Sequence, residues 1–168
     1  MQKKAFNKIL IVGDACRGKS TLASKLSSKL GIPHHSTDDF LYKIKFTKYR
    51  DQQEAICLMQ KVFEADSWIV EGTTKKLYEF GLGSSDIIIH LRYKNIPMQW
   101  LHLIKRSVGR ESETFAGLYK LMKHVLFKKY KFGYRKGKPT PAEIIDPYKH
   151  KTVTFSSFKE INSFINCL

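Results

Sequence analysis

A glycine-rich stretch near the beginning of the chain is compatible with few folds. It runs from Gly13 to Ser20, reads Gly-Asp-Ala-Cys-Arg-Gly-Lys-Ser, and directly follows the apolar run Ile9-Leu10-Ile11-Val12. The spacing G-x-x-x-x-G-K-S between a strand and a helix is typical of a loop that holds phosphate groups. We therefore expect a strand from Asn7 to Val12, a phosphate-binding loop, and a helix that begins at Lys19.

The residues after the loop fit this expectation. Leu22, Ala23, Leu26 and Leu30 recur at helical spacing until Gly31 and Pro33, which are typical of a helix end. Backbone N–H groups and the positive end of such a helix attract phosphates. We expect Lys19 to contact the β- and γ-phosphates of a nucleotide, Ser20 to bind Mg²⁺, and Thr21 to contact the α-phosphate. The predicted nucleotide contacts are Gly13, Asp14, Ala15, Cys16, Arg17, Gly18, Lys19, Ser20 and Thr21.

Two loop residues depart from the usual pattern. Cys16 and Arg17 stand where many small nucleotide kinases have small residues, so this loop is bulkier. The alternatives are an ordinary glycine-rich turn and a protein that binds nucleotide without catalysis.

The composition favours one intracellular α/β domain. A chain of 168 residues is long enough for a single such domain. Its apolar runs are far shorter than the roughly 20 residues that cross a bilayer, and no signal peptide is evident. Its three cysteines have no metal-binding spacing. We expect a cytoplasmic protein that makes no membrane contact.

The net charge of +15 exceeds what phosphorylated ligands alone would require. Much of the excess lies between Lys120 and Lys138, where lysines alternate with aromatic residues. Such a segment is compatible with a nucleic-acid surface. It is also compatible with a solvated amphipathic helix, because Leu118, Leu121 and Val125 recur at core spacing.

The rest of the chain alternates strands and helices. Further strands are expected at His34 to Thr37, Trp68 to Val70, Asp86 to Leu91 and Val153 to Phe155. Helices are expected from about Arg50 to Ala65, from Pro97 to about Val108, and around Phe158 to Ile165. This order predicts a five-stranded parallel sheet between helices.

Acidic residues follow two of the predicted strands, at the sheet edge where ligands bind in parallel α/β proteins. Asp38 is the candidate that orients or deprotonates an acceptor hydroxyl, and Glu71 is a candidate for holding Mg²⁺. Asp39, Gly72 and Arg50 are candidates for contact with the acceptor. Asp38 or Asp39 could instead cap a helix.

Arginines are expected to neutralise the transferred phosphoryl group. Arg106 and Arg110 lie one helical turn apart and are the first candidates. Arg92, just beyond a predicted strand, is the weakest candidate, because isolated arginines are usually surface residues.

The chain resembles the adenylate-kinase-like P-loop proteins that are often labelled DNA topology modulation proteins. The resemblance rests on five segments that occur in the same order: Gly13 to Ser20, Gly31 to Asp38, Trp68 to Gly72, Ser85 to Ile89, and Ile104 to Arg106. It implies a three-layer P-loop NTPase fold, ATP and Mg²⁺ as ligands, and a mobile lid over about residues 106–140 that carries Arg106 and Arg110.

Two functions follow as hypotheses. The first is a kinase that transfers the γ-phosphate of ATP to a nucleoside, nucleotide or other hydroxylated small molecule. The second is a nucleotide-responsive protein that binds DNA or RNA through Lys120 to Lys138. The adenylate-recognition pattern and a long zinc-type lid are missing, which disfavours adenylate as acceptor.

Overall fold

A five-stranded parallel sheet forms the centre of the computed structural model, which describes residues 6–44, 47–108, 115–133 and 136–167. Its strands in chain order are β1 (Lys8–Gly13), β2 (His34–Ser36), β5 (Trp68–Gly72), β6 (Ile87–Leu91) and β7 (Thr152–Phe155). Their spatial order is β2-β5-β1-β6-β7, and every neighbouring pair is parallel. The predicted five-stranded parallel sheet is confirmed.

Helices and a small hairpin connect these strands. The hairpin pairs β3 (Tyr42–Ile44) with β4 (Lys48–Tyr49) in antiparallel fashion. The longer helices are α1 (Lys19–Leu30), α3 (Gln52–Glu64), α6 (Ile96–Val108), α7 (Phe115–Tyr130) and α9 (Phe158–Cys167). The shorter ones are α2 (Thr37–Leu41), α4 (Lys75–Tyr78), α5 (Gly81–Ser84), α8 (Pro141–Ile145) and a 3-10 helix (Asp146–Lys151).

The three central strands β5, β1 and β6 are buried along nearly their whole length, as expected for parallel strands covered on both faces. Alternate residues point to opposite layers. Ile9 and Ile11 pack towards α1 and α9, whereas Leu10 and Val12 pack towards α3, α4, α5 and α8. The fully buried Trp68 lies in the second of these layers, and its ring meets Phe63 edge to face at a centroid distance of 4.9 Å.

The predicted element bounds differ from the observed ones by one or two residues. The first strand is shifted to Lys8–Gly13, and the helix expected from Arg50 to Ala65 spans Gln52–Glu64. Asp86 lies just before β6, where its Oδ2 accepts hydrogen bonds from the backbone N–H groups of Asn7 and Lys8 at 2.8 Å each. This carboxylate therefore helps to hold the start of β1 beside β6.

Among the described helices, none is long and apolar enough to span a membrane.

Candidate active site

Two glycines give the loop after β1 its shape. Gly13 has φ of 139°, and a Cβ there would lie 1.9 Å from the carbonyl oxygen of Leu91. The backbone N–H of the next residue, Asp14, donates to that carbonyl at 2.8 Å. Gly18 has φ of 82° and stands directly before α1. The loop therefore leaves the sheet in close contact with β6 and enters α1 through a left-handed residue.

Tyr93 fixes the middle of the loop from outside. Its backbone N–H donates to Asp14 Oδ2 at 2.9 Å, and its hydroxyl donates to the Cys16 carbonyl oxygen at 2.7 Å. Burial raises the pKa of Tyr93 to about 12, so the hydroxyl keeps the proton that it donates. Cys16 itself has φ of 59°, a backbone conformation that residues other than glycine rarely adopt.

Arg17 fastens the loop to two other elements instead of projecting into solvent. Its guanidinium carbon lies 4.7 Å from the ring centre of Tyr93 and 4.6 Å from that of Phe158. Its Nε donates to the carbonyl oxygen of Arg92 at 3.0 Å. The bulky Arg17 side chain therefore joins the loop to the segment after β6 and to α9.

Lys19 is a buried cation at the end of the loop, where α1 begins. Its Nζ donates to the Asp14 carbonyl oxygen at 2.8 Å. Burial lowers the pKa of Lys19, and the negative charges of Glu71, Asp14 and Asp38 oppose that effect. A buried ammonium group at the N-terminus of a helix is suited to bind phosphate oxygens.

Ser20 and Glu71 meet beside Lys19. The Ser20 hydroxyl donates to Glu71 Oε1 at 2.8 Å, and Glu71 is only 4% exposed. A hydroxyl and a carboxylate beside a phosphate-binding loop are the donors with which proteins hold Mg²⁺, which keeps several waters and the phosphates as its other ligands. Over the described residues, no three His, Cys, Asp or Glu side chains gather into a metal cluster.

These groups line one cavity of about 630 Å³. Apart from Gly13 and Asp14, every predicted loop contact lines it, and so do Asp38, Asp39, Glu71, Gly72 and Arg106. Asp38 and Asp39 occupy the first turn of α2 and do not cap it, because Ser36 is the capping residue and accepts from the Asp38 N–H at 3.4 Å. The structure thus brings together the acidic candidates from α2 and β5 with the loop.

Arg106 reaches the loop from α6. Its Nη1 donates to Cys16 Sγ at 3.0 Å. The second arginine of the expected pair, Arg110, lies outside the described residues.

Two other candidates lie elsewhere. Arg50 does not line the cavity: its Nε donates to the Phe40 carbonyl oxygen at 3.0 Å, and its Nη1 pairs with Glu54 at 2.5 Å. It therefore holds the start of α3 against α2. Arg92 lines a second cavity, on the other side of the loop, as does Asp14.

The cavity also contains residues that the sequence reasoning missed. These are His34, Ser36, Thr73, His102 and Leu121. Thr73 directly follows Glu71 and Gly72, so its position just after the predicted strand could have identified it as a site residue. His102 and Leu121 come from α6 and α7, and no local pattern marks which of their faces meets the loop.

A scan against models of known protein families finds no match, and a search of curated proteins finds none either. Solved structures do match. Shikimate kinase from Bacteroides thetaiotaomicron is 15% identical, with 96% of this chain and 95% of that chain covered and a TM-score of 0.57. Shikimate kinase from Acinetobacter baumannii in complex with shikimate is 11% identical, with coverages of 97% and 90% and a TM-score of 0.57.

A gluconokinase from Sinorhizobium meliloti 1021 is 12% identical, with coverages of 96% and 88% and a TM-score of 0.53. None of these matches ties the chain to the DNA topology modulation proteins. At such low identity the likeness concerns the fold, and it extends over nearly the full length of both chains in each comparison. The chain has the P-loop NTPase fold that small-molecule kinases share.

Proposed function

We propose that this protein is an ATP-dependent kinase that transfers the γ-phosphoryl group to a hydroxyl of a small molecule. One observation carries the proposal: a single cavity holds the loop, the buried Lys19, the Ser20–Glu71 pair and Asp38. Phosphoryl transfer needs a cation at the phosphates, a site for Mg²⁺ and a group that orients the acceptor. The kinases of similar fold support the same reaction class.

Each side chain has a role in this proposal. Lys19 exchanges its hydrogen bond to the Asp14 carbonyl oxygen for one to a phosphate oxygen. Ser20 and Glu71 would hold Mg²⁺, which when bound neutralises charge on the phosphates. Asp38 accepts a hydrogen bond from the acceptor hydroxyl and takes its proton, while Arg106 adds positive charge on the α6 side of the loop.

Replacement of Lys19 tests the proposal. ADP formation is measured with Mg²⁺-ATP and a panel of nucleosides, nucleotides, sugars and hydroxy acids. We expect acceptor-dependent turnover that falls by a factor on the order of 100 or more in Lys19→Ala, because a charge that stabilises the transition state is lost. Lys25→Ala is the matched control, since Lys25 is exposed on the same helix.

Equal turnover in Lys19→Ala and the original chain would refute the mechanism. ATP binding without turnover on any acceptor would instead support a nucleotide binder without catalysis.

A second candidate function is nucleotide-responsive binding of DNA or RNA through Lys120 to Lys138. It is supported by exposed aromatic side chains on and just after α7: Tyr119 is 66% exposed, Tyr130 62% and Phe132 42%. Lys120 and Lys123 are exposed on the same helix. Cationic groups next to exposed rings are the combination that contacts phosphates and stacks on bases.

The salt dependence of binding tests this second candidate. We expect affinity for a labelled single-stranded oligonucleotide to fall steeply with NaCl, and the slope to decrease in a Lys120→Glu/Lys123→Glu variant. Lys25→Glu/Lys61→Glu, at exposed positions of α1 and α3, is the control, because it changes the net charge by the same amount. An unchanged slope in the α7 variant would exclude this surface.

A further inference from the structure

A second cavity of about 510 Å³ lies on the other side of the phosphate-binding loop. Its walls come from Asp14 in the loop, from the end of β6 and the segment after it, and from α7. The volume is within the range of small-molecule sites, which span roughly 300–1,000 Å³. Nothing in the function proposed above uses this space.

The side chains around this cavity are strongly cationic. Arg92, Lys94, Lys128 and Lys129 line it. Among the described lining residues the one carboxylate is Asp14, and its Oδ2 already accepts a hydrogen bond from the Tyr93 backbone. So much positive charge around one concavity attracts anions and raises their local concentration.

The inner wall of the cavity is polar and buried. His90 is 6% exposed and Gln99 is 5% exposed. Burial lowers the pKa of His90, and the charges of Arg92 and Lys128 lower it further, whereas Asp14 raises it. His90, Arg92 and Lys128 all line the cavity, so the imidazole belongs to the same wall as these cations.

The two cavities adjoin. Ala15, Thr73 and Leu121 line both of them. A molecule that extended from one cavity into the other would place a hydroxyl beside Asp38 and a charged group among the cations of the second cavity.

We propose that the second cavity binds the anionic group, a phosphate monoester or a carboxylate, of the small molecule that the kinase phosphorylates. This inference rests on the proposed kinase function and narrows its acceptor to anionic molecules. A free small molecule fits better than a nucleic acid, because Lys128 is half-buried and the lining residues His90 and Gln99 are almost fully buried.

Binding of inorganic phosphate tests the site without any need for turnover. The protein is first saturated with Mg²⁺ and a non-hydrolysable ATP analogue, so that the loop is occupied. Phosphate is then titrated while the imidazole NMR signals of His90 and His124, which both line the cavity, are followed. Acetate is titrated in parallel to distinguish a preference for phosphate from one for carboxylate.

We expect phosphate or acetate to shift both imidazole signals in a saturable manner. Affinity should fall by about tenfold in Lys128→Gln and in Arg92→Gln, because each removes one charged contact. Lys120→Gln is the matched control on the exposed side of α7 and should bind normally. Absence of any shift, or equal affinity in all four proteins, would overturn the proposal.

Turnover measurements provide a second test of the anion site. With matched acceptors that differ only in an anionic group, Lys128→Gln should raise KM for the anionic member by about tenfold and leave KM for ATP unchanged. A preference for neutral acceptors would overturn the inference but not the kinase function.

Failure of the ATP analogue to bind would instead refute the kinase function. The anion site would then be tested by titrating phosphate into Lys19→Ala, in which the phosphate-binding loop lacks the Lys19 ammonium group.

Discussion

Arg17 is a charged side chain that the protein buries where many small nucleotide kinases have a small residue. It is 2% exposed, and its Nη2 has no hydrogen-bond partner among the described residues. The two ring contacts contribute roughly 0.5–2 kcal/mol each. Burial of a cation with an unpaired donor costs a similar amount, so the charge adds little net stability.

We therefore expect Arg17→Met to change the free energy of unfolding by less than about 1 kcal/mol, because methionine fills most of the same volume. Arg17→Ala should lose about 2–4 kcal/mol, since it leaves a cavity between Tyr93 and Phe158. Urea unfolding measures both. Equal losses in the two variants would show that the charge, and not the volume, holds the loop.

His90 gives the stability a dependence on pH. Its pKa in the folded protein is lowered from 6.5 by burial and by Arg92 and Lys128, while Asp14 opposes them. The unfolded chain therefore binds a proton at this residue before the folded chain does, as the pH falls below about 6.5. The free energy of unfolding falls over that window and levels off below the folded pKa.

Accordingly, His90→Gln should lose less stability between pH 7.5 and about pH 5.5 than the original chain does. Urea unfolding at the two pH values checks this. The lowered pKa of His35 contributes equally to both proteins and cancels in the comparison. Identical losses would mean that His90 has an ordinary pKa.

At the level of elements, β5 and α2 meet so closely that one residue must be glycine. A Cβ on Gly72 would lie 1.8 Å from Thr37 Oγ1 and 2.7 Å from its Cβ. Thr37 begins α2, which carries Asp38 into the cavity. The glycine thus allows the end of β5 to lie directly against the helix that bears a candidate catalytic residue.

Gly72→Ala should lose about 1–3 kcal/mol of stability by overpacking. The loss should be smaller in a Thr37→Ala background, since the nearest atom is then absent. Urea unfolding of the two single variants, the double variant and the original chain measures the coupling. Strictly additive losses would show that the two side chains do not clash.

The elements that the sequence predicts well are those with long, regular patterns. β1, α1 and β6 have uninterrupted apolar runs or helical spacing, and their observed bounds lie within a residue or two of the prediction. The β3–β4 hairpin was missed, because its strands are short and largely exposed. Helix α5 was missed as well: Gly81 lies inside it, where a Cβ would meet the Phe63 ring at 2.3 Å. Tertiary packing, which no local pattern encodes, outweighs propensity there.

At the scale of the whole molecule, the parts of the site that lie in one contiguous segment were predictable, and the parts that depend on distant segments were not. The loop residues and Glu71 follow from a contiguous motif and from the rule that parallel strands end at one edge. The contacts of Arg17 with Tyr93 and Phe158 join residues far apart in sequence. The second cavity likewise depends on residues of β6, α6 and α7 that come together only in the folded chain. Such convergence is a property of the folded chain and has no signature in any one segment.

The net charge of +15 acts on the molecule as a whole. Repulsion among like charges destabilises the compact state, and salt screens it over a Debye length of about 10 Å at 0.1 M. We expect the thermal midpoint to rise with NaCl, and to rise less in Lys120→Glu/Lys123→Glu, where each change lowers the net charge by two. Differential scanning calorimetry measures both slopes, and equal slopes would contradict an origin in net charge.

The two tryptophans of the chain lie in different environments. Trp68 is enclosed in the sheet, whereas Trp100 is half-buried on α6, the helix that brings Arg106 to the loop. The protein therefore contains two indole fluorophores, one in its core and one on a helix that borders the candidate active site. In Trp68→Phe, the remaining indole emission reports on α6 alone, so nucleotide addition can be followed optically without any attached label.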